Sequence, residues 1–246
     1  MSGSNYNCTM DDHTFDRRAA TDWIEVVESD SARVREGDIF PLLIAWINEI
    51  APGDILDVGS GQGICSIKIE LDPCNYVGVE PSSFLVDRAK TLYCRGNRKF
   101  LEGNVYHLPF SPSAFDAAFS IAVWHLLSDL EQATSELSRV LRPSGNFLII
   151  TANPGAYSAW TGAYRDARTD GRRFEGTVKR PDNSISQDVL YLHTLREITD
   201  ALKAADLQIE AIETFRAVEG SGEPGKFVLI RGTKRPAAEP TVERRD

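Results

Sequence analysis

The chain is poor in sulfur, in positive charge and in long apolar runs. Its 246 residues hold four cysteines, Cys8, Cys65, Cys74 and Cys94. No two of them stand at the C-x-x-C spacing of a zinc site or a dithiol, so neither a metal centre nor a redox pair is expected. Cys65 reads instead as a small core side chain in a reducing compartment. Lys and Arg number 27 against 36 Asp and Glu, a formal net charge of −9. No basic run offsets this balance, so a phosphate backbone is a disfavoured partner and nucleic acid is not expected. No apolar stretch approaches the ~20 residues of a membrane-spanning helix. The N-terminal residues lack the charged-then-apolar pattern of a secretory leader. A cytoplasmic protein is the expectation. Internal repeats are also missing.

The remaining composition is that of an ordinary globular chain, with 42% hydrophobic and 26% charged residues. The length fits one α/β domain with a cap or insertion better than two full domains. The organising stretch is Asp54-Ile55-Leu56-Asp57-Val58-Gly59-Ser60-Gly61-Gln62-Gly63-Ile64. A continuous apolar run of this length predicts a strand buried on both faces. Three glycines on alternate positions then predict a tight turn at which a ligand approaches bare backbone. Ile64, Ile67 and Leu71 recur at helical spacing, predicting a helix over 63–71 whose amide end faces that turn. The spacing separates possible ligands. A phosphate-cradling loop ends in Gly-Lys-Ser/Thr, and Gly63-Ile64-Cys65 does not. The dinucleotide fingerprint carries its third glycine one position further on.

Strands alternating with helices follow. Tyr76–Glu80, Phe100–Gly103, Phe115–Ser120 and Asn146–Thr151 read as strands, with helices over 83–94 and 130–140. That alternation implies βαβ units and a parallel sheet with right-handed crossovers. Two helices are expected before it, over 12–28 and around Ile39–Ile47, with Pro41 in a first turn. Residues 153–187 break the pattern and are rich in Gly, Arg, Asp, Asn and Ser. A connection this long is functional or disordered; Tyr157, Trp160 and Tyr164 keep helical spacing and predict one short helix near its start. Thr194 with Glu197 forms a capping box opening a helix to about Ala205. Leu207–Glu213 and Phe227–Gly232 read as an antiparallel pair. One domain over 1–234 is expected, with 1–50 a helical cap, 153–187 a substrate-covering insertion, and 235–246 a disordered tail.

The Asp-x-Gly-x-Gly-x-Gly pattern of Asp57–Gly63 resembles the first motif of class I S-adenosylmethionine-dependent methyltransferases, and the order of elements over Asp54–Gly232 resembles their fold. Within that family the chain looks most like small-molecule enzymes of the ubiquinone-biosynthesis type. The resemblance implies a Rossmann-like, mostly parallel seven-stranded sheet of order 3-2-1-4-5-7-6, with helices on both faces and an antiparallel last hairpin. It implies S-adenosylmethionine as cofactor and a small organic methyl acceptor. Asp57, Gly59, Ser60, Gly61 and Gly63 would lie at the methionine part of the cofactor. Glu80, at the carboxyl end of the second strand, would take both ribose hydroxyls, with Pro81 and Ser82 on the same edge. Gly103-Asn104-Val105 resembles the adenine segment. Asn104 stands where Asp is commoner, its amide oxygen accepting from the adenine amine and Val105 packing on the ring. Ser120, Ile121 and Ala122 would end the fourth strand beside the cofactor's amino group.

His125 is the candidate general base, since it lies just past that strand and an imidazole titrates in the useful range. Trp23, Trp124, Tyr157, Trp160 and His193 are candidate walls of an acceptor pocket. No residue stands out for the cofactor carboxylate, though Arg17, Arg18, Arg33 and Arg35 are candidates. An RNA or protein methyltransferase of the same fold, a non-catalytic cofactor binder and a nicotinamide oxidoreductase are the competing readings. The acidic charge weighs against RNA, the missing Asn/Asp-Pro-Pro-Tyr/Phe tetrad against methylation of a base or glutamine amino group, and the glycine spacing against a nicotinamide.

Overall fold

The computed structural model describes residues 17–28, 34–69, 74–162, 164–179, 185–215 and 225–237. The chain enters through α1 (Arg17–Glu28), then a single π turn over Arg35–Ile39 that runs directly into α2 (Phe40–Ile50). Pro41 sits in the first turn of α2, where a missing N–H leaves no bond unmade, and Ala51 in the left-handed conformation ends it. Next come β1 (Asp54–Val58), β2 (Asn75–Glu80), α3 (Ser83–Tyr93), β3 (Arg98–Glu102), β4 (Phe115–Ile121), α4 (Leu130–Val140) and β5 (Leu141–Ala152).

After β5 a short α5 (Tyr157–Thr161) leads to β6 (Arg165–Asp170), β7 (Arg173–Lys179) and β8 (Ile185–Tyr191). The chain closes with α6 (Leu195–Ala204), β9 (Leu207–Phe215) and β10 (Phe227–Lys234). The main sheet has the order β3-β2-β1-β4-β5-β10-β9. Strands β1 to β5 pair parallel, whereas β10 runs antiparallel to both β5 and β9. Counting β9 and β10 as its sixth and seventh strands, this is the 3-2-1-4-5-7-6 order expected from the sequence.

The alternation of side chains along each strand divides the core into two layers. Leu56, Val58, Ala118, Phe147 and Ile149 face α4 and α6. Ile55, Tyr76, Phe119, Leu148 and Ile150 face α2 and α3. The order in which successive strands are laid down reverses between β1 and β4, because β2 and β3 lie on one side of β1 and β4 and β5 on the other. The crevice outside the carboxyl ends at such a switch point is where open α/β sheets bind ligands. At the opposite end Arg142 pairs with both Asp54 and Asp116, tying β1, β4 and β5.

Three expectations need correction. The helix foreseen over 63–71 is a four-residue 3-10 turn, Ile64–Ile67, with 70–73 outside the described residues. A turn this short brings no sizeable helix dipole to the glycines, so any ligand there is held by individual groups. The stretch 153–187 holds the short helix expected near its start but also strands that were not expected. It carries α5 and most of a second sheet of order β6-β7-β8, all antiparallel. Finally, the strand expected over Asn146–Thr151 begins earlier, at Leu141, so Arg142–Gly145, which read as a turn into it, is part of β5. A break in the β4–β5 register, from Phe115↔Leu141 to Ala117↔Asn146, accommodates it, with Ser144 at φ +63°. Residues 1–10, and 12–16 of the first predicted helix, lie outside the described residues, as do 238–246 of the tail.

Candidate functional site

The glycine turn is built by its own backbone. Gly59, Gly61 and Gly63 have φ of +76°, +53° and +81°. The Gly59 and Ser60 N–H groups both donate to the Val79 carbonyl, at 2.8 and 3.0 Å, binding the turn to β2. A Cβ on Gly59 would stand 2.3 Å from Val123 Cγ2, so the turn and the loop after β4 meet at backbone distance. Gly63 serves packing: a Cβ there would fall 2.7 Å from the Phe100 ring. It lines neither of the cavities described next, against the expectation that it meets the cofactor.

A cavity of about 310 Å³ opens over the carboxyl ends of the strands. One end is walled by Gly59, Gly61, Glu80, Pro81, Ser82, Gly103, Asn104 and Val105, with Ala20 of α1 and Leu85 of α3 above. Its other end is walled by His125, Leu126, Tyr157, Trp160, Tyr164 and the β8 residues Ser186–Leu190. Ile121 and Ala122 lie between the two. Ala122 has φ +60°, and its N–H donates to the Ile150 carbonyl at 2.7 Å, turning the chain sharply out of β4. A smaller cavity of about 20 Å³ lies behind the glycine turn, lined among others by Arg35, Asp57, Ser60 and Gln62.

Glu80 is 5% exposed, yet both its oxygens are engaged: Oε2 accepts from Gly61 N–H at 3.1 Å and Oε1 from Ser82 N–H at 3.0 Å. Burial pushes its carboxyl up to about 7, against the pull of those two donors. Asp57 is likewise pushed to about 7 by burial, while the Tyr76 hydroxyl, donating at 2.5 Å, works against the shift. Glu80 adds to the rise, and the Arg35 guanidinium opposes it. Arg35 is itself lowered by burial. These groups make a pair of acids and one arginine around the turn.

Asn104 differs from expectation in its role. Its Oδ1 accepts from the Tyr106 and His107 N–H groups at 2.9 and 3.1 Å. Two backbone donors fix which amide atom is oxygen. That oxygen therefore caps its own turn, and the side chain has its NH2 left for a ligand. The Ser120 hydroxyl donates to the Val58 carbonyl at 2.9 Å, strapping β4 to β1, and the residue lines neither cavity.

His125 lies at the acceptor end. Its Nδ1 is 3.0 Å from Thr151 Oγ1, and its ring stacks on Trp160 with centroids 6.1 Å apart. Burial pushes its pKa down to about 4, so the imidazole is neutral at neutral pH. Trp160 is held in turn by Nε1–H donating to the Lys226 carbonyl at 2.8 Å and by an edge contact with Phe227. Tyr157 lines the cavity too. Trp124 and His193 do not. Trp124 is 1% exposed within the α4-side core. His193 is 4% exposed and donates Nε2–H to the Leu127 carbonyl at 2.6 Å, pinning the start of α6 to the loop after β4. The Trp23 side chain lies outside the described residues, although its backbone is in α1.

Tyr164, a further aromatic at the same helical spacing, also lines the cavity, whereas the β8 segment was missed by sequence reading. A five-residue apolar–polar mixture at Ser186–Leu190 gave no sign of facing a ligand. Among the described residues, no group of three or more His, Cys, Asp or Glu is placed to hold a metal ion, and no helix is long and apolar enough to cross a membrane.

A nucleoside with an amino-acid tail fits this arrangement on one direct ground. Three side-chain oxygens are buried without a partner among the described residues: Ser60 Oγ, Gln62 Oε1 and Ser82 Oγ. They ring the glycine turn and the end of β2. Unpartnered buried polar atoms are costly and call for a ligand or water.

Residues 56–149 match the family described as a methyltransferase domain. The demethylmenaquinone methyltransferase of Thermus thermophilus is 32% identical over 121 residues, 48% of this chain and 55% of that protein. The fatty-acid O-methyltransferase of Mycolicibacterium smegmatis is 29% identical over 102 residues, 41% of this chain and 37% of that protein. The chain thus spans roughly half or less of the length of these curated relatives. Among solved structures, a protein from Pyrococcus horikoshii superposes with a TM-score of 0.69 over 85% of this chain and 93% of that one, at 20% identity. An S-adenosylmethionine-dependent methyltransferase from Clostridium acetobutylicum superposes with a TM-score of 0.66 over 89% of this chain and 100% of that one, at 12% identity. Such low identities speak to the fold alone. Taken together, the matched stretch and the strand order make this chain one that resembles the class I S-adenosylmethionine-dependent methyltransferases of the small-molecule type.

Proposed function

We propose that the protein transfers a methyl group from S-adenosylmethionine to a small organic acceptor in the cytoplasm. The observation that carries this reading is the continuity of the 310 Å³ cavity. It joins the glycine turn and Glu80 to an aromatic end at Tyr157 and Trp160, so a cofactor and an acceptor can share one cavity.

The cofactor, when bound, supplies an electrophilic methyl on a sulfonium. The chain's own residues supply position and dryness. Glu80 carries two oxygens that each retain a lone pair for a ribose hydroxyl, and Gly61 and Ser82 hold that carboxyl in place. Ser82 Oγ and Ser60 Oγ are the donors without partners on that side. Asn104 offers an amide NH2 and Val105 an apolar surface toward a base. Arg35, Asp57, Ser60 and Gln62 line the smaller cavity behind the turn. Their charges suit the zwitterionic end of an amino acid, and Arg35 is the residue assigned to its carboxylate. Leu126, Leu190, Tyr157 and Trp160 exclude water from the acceptor end. Its apolar walls and modest volume favour a small molecule over a polymer, as does the net charge of −9 over a nucleic acid.

Thermal denaturation with S-adenosylhomocysteine, with NAD and with buffer tests the reading. S-adenosylhomocysteine should raise the melting temperature and NAD should not. Glu80→Ala should remove that rise. Stabilisation by NAD alone, or none by S-adenosylhomocysteine, would sink the proposal.

A further inference from the structure

The acceptor end holds a His–Thr pair whose protons can be placed. Thr151, next to the last residue of β5, is 1% exposed. Its hydroxyl lies 3.0 Å from His125 Nδ1 and meets no other partner among the described residues. A buried hydroxyl has one proton to donate, and leaving it undonated costs about 1–3 kcal/mol. Were the ring proton on Nδ1, it would donate to Thr151, and the threonine's own proton would point at nothing. With the threonine donating to Nδ1, both groups are satisfied. The neutral ring then carries its proton on Nε2. No protein atom among the described residues accepts from Nε2, and His125 lines the cavity with its ring stacked on Trp160. Among the residues lining that cavity there is no Lys or Arg.

Resting on the methyltransferase reading, we propose that His125 is a neutral hydrogen-bond donor to the methyl acceptor, and that the acceptor presents it an uncharged oxygen, such as a carbonyl, on an apolar ring system lying against Trp160. This assigns His125 a binding role in place of general base. Each ring nitrogen is committed: the Nδ1 lone pair to the threonine, Nε2 to its proton. Taking a proton at Nε2 would require the tautomer that strands the Thr151 hydroxyl. The low basicity that burial imposes on the ring agrees with this. With no Lys or Arg on the lining, a carboxylate or phosphate would meet no cation of the chain, and with S-adenosylhomocysteine bound it would meet no counter-charge at all. Thr151 acts through His125 and is a positioning residue.

The test uses the full chain, labelled with nitrogen-15, with acetophenone as the neutral carbonyl probe and benzoate as its anionic counterpart. Long-range proton–nitrogen spectra at pH 7 report the tautomer, with His125→Gln identifying the signals. The Nε2–H form is expected in the ligand-free chain and with S-adenosylhomocysteine; Thr151→Val should yield a mixture of both tautomers. With S-adenosylhomocysteine bound, acetophenone should bind more tightly than benzoate. His125→Ala should weaken acetophenone about fivefold, and His125→Gln, whose amide N–H reaches a similar place, less than twofold. An Nδ1–H ring or an imidazolium at pH 7, tighter binding of benzoate, or equal losses in the Ala and Gln variants would each overturn the inference. Calorimetry with S-adenosylhomocysteine stands apart. If it shows no binding, the methyltransferase reading fails, while the tautomer of the ligand-free chain still decides the state of His125.

Discussion

Glu80 and Asp57 set a conflict between holding a ligand and holding the fold. Both acids are pushed up to about 7 by burial. A folded-state pKa above the unfolded one means that the folded chain binds the proton more tightly. The stabilising contribution is then complete below the ordinary carboxylate range near pH 4 and is lost as pH rises through about 7. The ligand-free chain should therefore melt at progressively lower temperature between pH 5 and pH 8. Glu80→Gln removes one of the two ionisations. It should raise the melting temperature at pH 8 by a few degrees while removing the response to S-adenosylhomocysteine. A variant that melts below the wild type at pH 8 would show that the ionised carboxylate stabilises the fold after all. His125 behaves oppositely: with its pKa pushed down to about 4, its ring signals should not titrate between pH 5.5 and 8.

At the scale of elements, the glycine turn and the loop after β4 act as one piece. Gly59→Ala would place a methyl 2.3 Å from Val123 Cγ2 at a φ of +76°. A loss of about 1–3 kcal/mol is expected from the backbone alone, with more from the clash. Adding Val123→Ala should recover the steric part and leave the backbone part, which chemical denaturation of both variants can separate. Full recovery in the double variant would place the whole effect in the clash.

These elements also show where the sequence was readable. Ile55–Val58, Tyr76–Glu80 and Phe147–Ile150 are buried on both faces, so they stand out as apolar runs whatever their neighbours. Strand β6 reads Arg-Asp-Ala-Arg-Thr-Asp and is exposed along its whole length. No hydrophobic alternation marks such an edge, and it looked like a loop. Glu80 and Asp57 were legible because a local motif fixes both. The partnership of His125 with Thr151 and the capping of its own turn by Asn104 were not. They depend on which neighbours tertiary structure supplies, and a residue type alone does not say whether its oxygen is already engaged.

Across the whole molecule, the cavity is assembled from segments distant in sequence. Helix α1 covers one end through few contacts: Ala20 and Ile24 pack with Leu85 and Phe84 in a cluster apart from the two main cores. Glu28 then accepts from Arg88 at 2.7 Å and from the Gln62 amide at 3.4 Å, the latter within the glycine turn. A ligand that orders Gln62 should therefore quiet α1. Amide exchange in α1 should slow with S-adenosylhomocysteine, and slow less in Glu28→Ala. Equal slowing in both would break the link.

The position of β10 has a consequence for how the chain reaches this state. It lies between β5 and β9, pairing Phe227–Thr233 with Asn146–Ala152. Until it arrives, the apolar Phe147–Ile150 segment has an open hydrogen-bonding edge, and about 75 further residues must leave the ribosome before that edge is filled. During synthesis the growing chain carries an exposed, sticky strand of the kind that recruits copies of itself. Substitutions that weaken β10 should then appear first as poor yield and inclusion bodies, before any defect in the purified, folded protein.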